Sequence, residues 1–413
     1  MQTETIPLKR SVTLPFLVMY GVGTMIGAGF YALLGKVAGE ALMYAPIAFL
    51  CSGVLALFSS FSFAELSSRY PVSAGEAQYI RSGFNNKSLA TVTGWLVILT
   101  GIVSAATLTV ATIGFLQVNV AIPHTLGIIL LVIAMATVAA WGIGQSVAVV
   151  TIITIIEVSA LIYAASVADT SIGEIADNWQ AFIPPADAKV WLGIFSGAFL
   201  AFYAFIGFED MVNMAEEVKN VRSTLPKAII ISVVVTSIFY ILVSIIAISA
   251  VTPAQLENSK APIVELVKGQ GWTATTGLWI VSLLTGLNGA LVQIIMASRV
   301  AYGLANSEQA PRWLGKVHPA TRTPVLATVF ISAIILALAL YFPLTTLAKL
   351  TSTIILLIFA GVNFSLWRIK KREQISQNFD QGEGPRYPRW VPFVGGSLCL
   401  LVLLFQTTIL LST

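Results

Sequence analysis

Residues 21–34 read GVGTMIGAGFYALL. They fall in the first apolar stretch, 12–34, and put Gly21, Gly23, Gly27 and Gly29 where a membrane-spanning helix should be regular. Glycine weakens a helix and lets other groups come close to the backbone. In hydrocarbon, irregular backbone survives only where protein buries it or where it lines a cavity. A broken first span therefore points to a cavity with something bound in it. Interrupted spans at matching places in two halves of a chain are the mark of a secondary transporter.

The rest of the chain fits that setting. Of its 413 residues, 57% are hydrophobic and 10% charged, against about 45–50% and about 25% in soluble domains. The chain reads as an all-α, polytopic integral membrane protein. Cys51 and Cys399 both lie in apolar runs, which argues against a disulfide framework and against a thiolate metal site. His124 and His318 are the only histidines, so a multi-histidine metal site is excluded. No metal, no other cofactor and no nucleic acid is expected as a partner; the lipid bilayer is. The N-terminal MQTETIPLKR carries no cleavable-signal pattern, so the first span is expected to be retained.

A helical span takes about 20 mostly apolar residues. Eleven such stretches are read, near 12–34, 42–66, 88–117, 124–141, 147–168, 191–214, 227–251, 272–304, 325–342, 344–367 and 391–411, with Pro343 as the only turn signal between the ninth and tenth. Lys and Arg set the orientation. With the N-terminus inside, the inner segments hold most of them, from Lys9 and Arg10 to Arg386 and Arg389. The outer segments then hold only Lys36, Lys189, Lys260 and Lys268. An odd span count puts the C-terminus outside, and the expected location is the cell (inner) membrane. Residues 252–271, with Pro253 and Pro262, are expected to form a short interfacial helix outside. Residues 368–390, with Gly382, Gly384, Pro385 and Pro388, read as a flexible inner linker before a peripheral last span.

Span six reads FSGAFLAFYAFIGFEDMVNMAEEVKN. Gly207 interrupts it, and Glu209 and Asp210 follow directly. Charges within a span are costly and are functional candidates by default. The second break comes five spans after the first, which is the spacing of an inverted five-plus-five repeat. Self-similarity between the halves is otherwise faint.

Four separated stretches carry a family resemblance: GVGTMIGAGF in span one, AELSSRYPVSAGEAQYIRSGF after span two, AFIGFEDMVNMAEEVKNVRSTLPKAI across span six and ASRVAYGLANSEQAPRWLGKVHPATRTPVLA after span eight. In that order, from about residue 10 to 367, the chain resembles the amino acid–polyamine–organocation (APC) superfamily of amino acid permeases. The resemblance implies a LeuT-like fold with helices 1 and 6 unwound at mid-membrane. One five-helix repeat would span 1–168, the second, inverted, 191–367, and a linker with one extra C-terminal span 368–413. The chain departs from the family in three ways. Many relatives have twelve spans. The usual Lys-Asn-Pro after span six is here Lys219-Asn220-Val221. The lysine many relatives carry in span five gives way to Glu157 in TIIEVSAL, which leaves the coupling ion open.

An α-amino acid is a zwitterion. Free N–H groups at a half-helix N-terminus suit its carboxylate, and C-terminal carbonyls suit its ammonium. By resemblance, Gly27, Ala28 and Gly29 offer N–H groups, while Met25, Tyr203 and Ile206 offer carbonyls; Ile26 and Gly207 belong to the same two breaks. Tyr203 takes the place of an aromatic gate, and Thr100, Gly101, Ala105 and Gln293 are expected to line the side-chain pocket. That wall is neutral and mostly small, which favours a neutral or apolar substrate. A packing explanation stands beside the binding one: Gly23-xxx-Gly27 and Gly35-xxx-Gly39 both fit small-residue helix contacts.

Glu209 matches a proton-sensing glutamate of the superfamily's exchangers, and a carboxylate withdrawn from water is a candidate proton carrier. A structural hydrogen bond within the broken helix is its alternative role; Asp210, facing about 100° away, is the other residue suited to that job. Glu157 sits where the family places its coupling ion or a lysine in its stead, which makes sodium the alternative coupling ion; protons are the expected one, since the sequence alone assembles no sodium site. The leading reading is thus a secondary active transporter of amino acids by alternating access, proton-coupled or an exchanger. A cationic amino acid or polyamine exchanger is the runner-up within transport, and a channel the runner-up from another class. An enzyme is not expected, since no HExxH or GxSxG occurs. A homodimer is left open.

Overall fold

The computed structural model describes residues 10–72, 75–141, 147–376 and 384–412. Lys9 and Gly382, named above, lie outside them. Among the described residues the structure is helical throughout, apart from one isolated bridge between Val12 and Val218. In chain order the α-helices are α1 Leu14–Ile26, α2 Ala28–Ala41, α3 Ala45–Arg69, α4 Gly75–Phe84, α5 Lys87–Leu116, α6 His124–Trp141, α7 Val147–Val167 and α8 Ile172–Asp177. They continue as α9 Ala188–Ala201, α10 Val221–Ala250, α11 Pro253–Asn258, α12 Pro262–Glu265, α13 Trp272–Asn306, α14 Val325–Tyr341, α15 Leu344–Ser376 and α16 Trp390–Ser412.

Among the described residues, nine helical stretches are long and apolar enough to cross a membrane. One of them runs from Gly29 to Arg69 through a sharp turn at Leu42, whose φ is +52°. Leu14–Ile26 and Val325–Tyr341 are apolar but shorter. Local chemistry explains several helix starts. The Asn86 side chain accepts from Leu89 N at 3.0 Å to start α5, and Asp187 accepts from Lys189 N at 2.7 Å to start α9. Thr252 and Gln255 form a reciprocal cap on α11, with Pro253 in its first turn.

Two connections differ from expectation. Residues 252–271 form two short helices rather than one, because the extended residues after Asn258 and Pro262 restart the chain. One face of them packs on the body: Leu256 and Ile263 are buried, and α11 packs on α2, where Gly35 and Gly39 leave room for Leu256 O and the Glu257 side chain. Here the small-residue spacing serves packing. The expected linker is also shorter than read, since α15 continues to Ser376, and its last part is pinned rather than loose. Glu65 of α3 is fully buried and accepts from Arg69 (2.6 Å), Lys370 (2.6 Å) and the Tyr387 N–H (2.9 Å). Lys370 donates in turn to Tyr387 O at 2.7 Å, and Arg69 also pairs with Glu373. Gly384, Pro385 and Pro388 mark a turn that buried charges hold in place.

The last helix is part of the packed body. Asn363 of α15 donates to Ser59 Oγ (3.1 Å) and accepts from Ser62 (2.6 Å), while Cys399 of α16 sits 3.7 Å from the same Ser59.

Candidate functional site

Both expected breaks exist, and they face each other. α1 ends at Ile26 and α2 begins at Ala28, with Gly27 between them at φ −46°, ψ −167°. α9 ends at Ala201 and gives way to a 3-10 turn over Phe202–Phe205. Ile206 is then extended, Gly207 takes φ +128°, and a second 3-10 segment runs from Glu209 to Glu217. Gly207 needs its freedom twice over. Its φ belongs to glycine, and a Cβ there would stand 2.9 Å from the Thr24 backbone.

Side chains hold the breaks together. Thr24 Oγ1 lies 3.0 Å from Gly21 O and 3.1 Å from Gly207 O. The Tyr240 hydroxyl of α10 lies 2.5 Å from Met25 O and 2.8 Å from Ala204 O, so one proton serves a carbonyl from each broken span. Phe30 stacks on the Tyr240 ring at 4.3 Å and Phe205 meets it edge-on at 5.1 Å.

A cavity of about 50 Å³ lies between the breaks. Met25, Gly27 and Gly29 reach it from span one, Tyr203 and Ile206 from span six, and Gln293 from α13. A Cβ on Gly27 would meet nothing nearer than its own helix's carbonyls at 3.5 Å, whereas one on Gly29 would press on the Tyr203 ring at 3.2 Å. Of the other expected residues, Ile26 and Gly207 are buried at the breaks without lining the cavity, and Ala28 opens α2.

The expected span-three positions do not line it. Ser104 and Leu108 do, in place of Thr100, Gly101 and Ala105. The Thr100 hydroxyl donates back to Leu96 O at 2.9 Å, Gly101 packs against Ala297 and Met296 of α13, and Ala105 is fully buried. α5 is buried on several sides, so polarity does not reveal its cavity face. Ser104 Oγ pairs with the Tyr203 hydroxyl at 3.0 Å. Tyr20, Asn288 and Val292 also line the cavity; nothing in the sequence singled them out.

The three carboxylates separate. Glu209 folds back, and its Oε2 accepts the Gly207 N–H at 2.9 Å. That is the structural role weighed for Glu209 as its alternative, with Asp210 as the other residue suited to it. Asp210 instead lines both the central cavity and a second one of about 710 Å³, sharing this boundary with Tyr20 and Val292. The larger cavity is lined by Glu76, Arg81, Glu217 and Arg299 among others, so it opens toward the end of the molecule where those residues lie. Glu157 is elsewhere. It is buried in α7 near Tyr31, Tyr240 and Thr285, and neither carboxylate oxygen makes a well-formed hydrogen bond among the described residues, the Thr285 hydroxyl being its polar neighbour. The Thr285 hydroxyl donates to Val281 O. Glu76, on α4 outside the spans, is buried as well; burial pushes its carboxyl up to about 7, and the nearby Asp210 adds to the rise.

At the opposite end, α11 covers α2. There Glu40 accepts from Ser196 (2.9 Å) and Lys349 (3.1 Å), and Lys36 bonds Glu257 O. The central cavity is therefore walled on this side and leads toward the other.

The family profile described as "Amino acid permease" matches residues 13–412. The branched-chain amino acid permease BcaP of Bacillus subtilis is 29% identical over 390 residues, covering 89% of this chain and 82% of that one. The methylthioribose transporter of the same organism is 25% identical, covering 97% and 89%. The vacuolar cationic amino acid transporter 4 of Arabidopsis thaliana is 31% identical over 86% of this chain and 62% of its own.

Proposed function

The chain belongs to the amino acid permease family, whose members are transporters rather than enzymes, and from that premise we propose that it carries a neutral α-amino acid across the cell membrane by alternating access. The observation that carries this reading is the pair of opposed backbone breaks at Gly27 and Gly207 around one cavity. The N–H groups at Gly27, Ala28 and Gly29, opening α2, take the carboxylate, and carbonyls near Met25, Tyr203 and Ile206 take the ammonium. The fold is read as two inverted five-helix repeats, 1–168 and 191–367, with 368–413 appended and the N-terminus inside. In that orientation the described state faces inward, because the larger cavity adjoins the positively flanked end and α11 covers the other.

Asp210 is the carboxylate placed to load a proton. It stands where the substrate path meets the larger cavity, while Glu209 is engaged with Gly207. Glu157, buried and unpaired, supports the sodium reading. The Asp210 carboxylate beside the cavity also favours, as a second reading, a cationic amino acid.

Uptake into proteoliposomes under independent pH and sodium gradients tests the assignment. Counterflow by neutral amino acids, driven by a pH gradient and made independent of pH by Asp210→Asn but not by Glu209→Gln, is the expected result. Uptake driven by sodium alone and lost in Glu157→Gln would transfer coupling to span five. Unsaturable flux would make the protein a channel.

A further inference from the structure

Gln293 is the unexplained polar group of the central cavity. It projects from α13 among the lining residues, is only 9% exposed, and its Oε1 is buried without a hydrogen-bond partner. An unpaired buried amide oxygen costs roughly 1–3 kcal/mol, and protein interiors seldom leave one. The polar neighbours are committed elsewhere. Ser104 and Tyr203 bond each other, and the Thr100 hydroxyl returns to Leu96 O. Gly101, packed beside the Gln293 carbonyl, brings no side chain of its own. The Gln293 amide therefore carries an oxygen that no described residue satisfies.

We propose that Gln293 is a specificity-determining residue and that the cavity selects an amino acid with a small neutral side chain ending in a hydroxyl or carboxamide. This rests on the transport reading above and narrows its substrate class. The α5 and α13 wall carries Ser104, Leu108, Asn288, Val292 and Gln293 and no charge, so a cationic side chain finds no counter-ion there. Asp210 lies on the boundary shared with the larger cavity, together with Tyr20 and Val292. A volume of about 50 Å³ admits a few water-sized groups, which suits a short polar side chain over a long one. A site built to bond a substrate hydroxyl rejects the analogue that lacks it, because its own polar group is then left unpaired.

Threonine and valine have nearly the same shape and differ in that hydroxyl. Competition binding of threonine, valine and lysine to the purified full chain tests the proposal. Wild type is expected to prefer threonine to valine by about tenfold or more, with lysine weakest, and Gln293→Leu to bring threonine and valine within about twofold. Equal or tighter binding of valine, or a preference for lysine, in the wild type would overturn the proposal while leaving amino acid transport standing. A threonine preference undiminished in Gln293→Leu would overturn it too. Failure of the wild type to bind any of the twenty amino acids would instead remove the transport reading, and this inference with it. The wild-type comparison decides the matter even if the variant does not fold.

Discussion

The hydroxyl of Tyr240 lies 2.5 Å from the carbonyl of Met25, in the last turn before the first span breaks. An acceptor expected to meet the substrate ammonium is thus also a strut between α10 and span one. Since a carbonyl has two lone pairs, the strut still leaves Met25 one acceptor direction. Tyr240→Phe keeps the ring that stacks on Phe30 and removes the proton shared by Met25 and Ala204. Two buried carbonyls then lose a donor, at about 1–3 kcal/mol. A lower melting temperature and weaker substrate binding are expected, read by thermal unfolding with and without amino acid. An unchanged melting temperature would mean that Thr24 and the surrounding packing hold the breaks without Tyr240.

The two break glycines should respond differently to a single methyl. At Gly27, beside the cavity, the Cβ makes only ordinary contacts, 3.5 Å from Gly23 O and 3.7 Å from Thr24 O, so Gly27→Ala should fold with stability unchanged to within about 1 kcal/mol. Its substrate affinity should fall by about tenfold, or about 1.4 kcal/mol, and Gly27→Leu should abolish binding. Gly207→Ala faces a φ of +128° and the Thr24 backbone, so it should lose stability itself, by at least about 1–3 kcal/mol. Isothermal titration alongside thermal scans separates the two behaviours.

The buried carboxylate of Glu65 holds two cations and a backbone N–H at once. Glu65→Gln leaves Arg69 and Lys370 without that charge, and breaking a buried pair from one side costs about 3–5 kcal/mol. The variant should unfold well below wild type in detergent, and protease should cut near 384–389 more readily. Wild-type resistance to cleavage would show that the linker is held by something other than Glu65.

For Glu76, the carboxyl in the folded protein titrates near 7, above its ordinary 4.5. The folded state then binds more protons than the unfolded state between those values, so stability falls as pH rises from about 4.5 through about 7 and levels off above. Glu76→Gln should remove this slope and be the more stable form at pH 8, by an amount on the order of 3 kcal/mol. Melting temperatures from pH 5 to pH 8 check it; parallel wild-type and variant curves would assign the slope to other groups.

What sequence reading reaches is governed by locality. Both helix breaks were legible because glycine and adjacent charge are costly in hydrocarbon and need a reason. The face of α5 was not. Thr100, Ser104, Thr107 and Thr112 are all buried in a helix surrounded by protein, so no polar side marks the cavity. Which of its two expected roles Glu209 takes turns on a side chain bending back two residues to Gly207, which spacing does not encode. The linker looked loose because glycine and proline speak only of local conformation; its anchor, Glu65, is in the second span. Tyr240 sits in an unbroken apolar run, and only its contacts give it a role.

The bridge between Val12 and Val218 bears on how the chain is assembled. Ser11 and Val12 donate to Glu217 O at 2.9 and 3.0 Å, and Lys219 donates to Val12 O at 2.9 Å. The partners lie half a chain apart, and contacts so distant in sequence form late. During synthesis the N-terminal segment leaves the ribosome first, yet its backbone groups find their partners only after the sixth span has been made. Until then the glycine-broken first span has neither Thr24's distant acceptor nor Tyr240's hydroxyl, so its membrane placement is provisional. Maturation of this protein is therefore a long-range event, completed when the second half of the chain returns to clasp the beginning of the first.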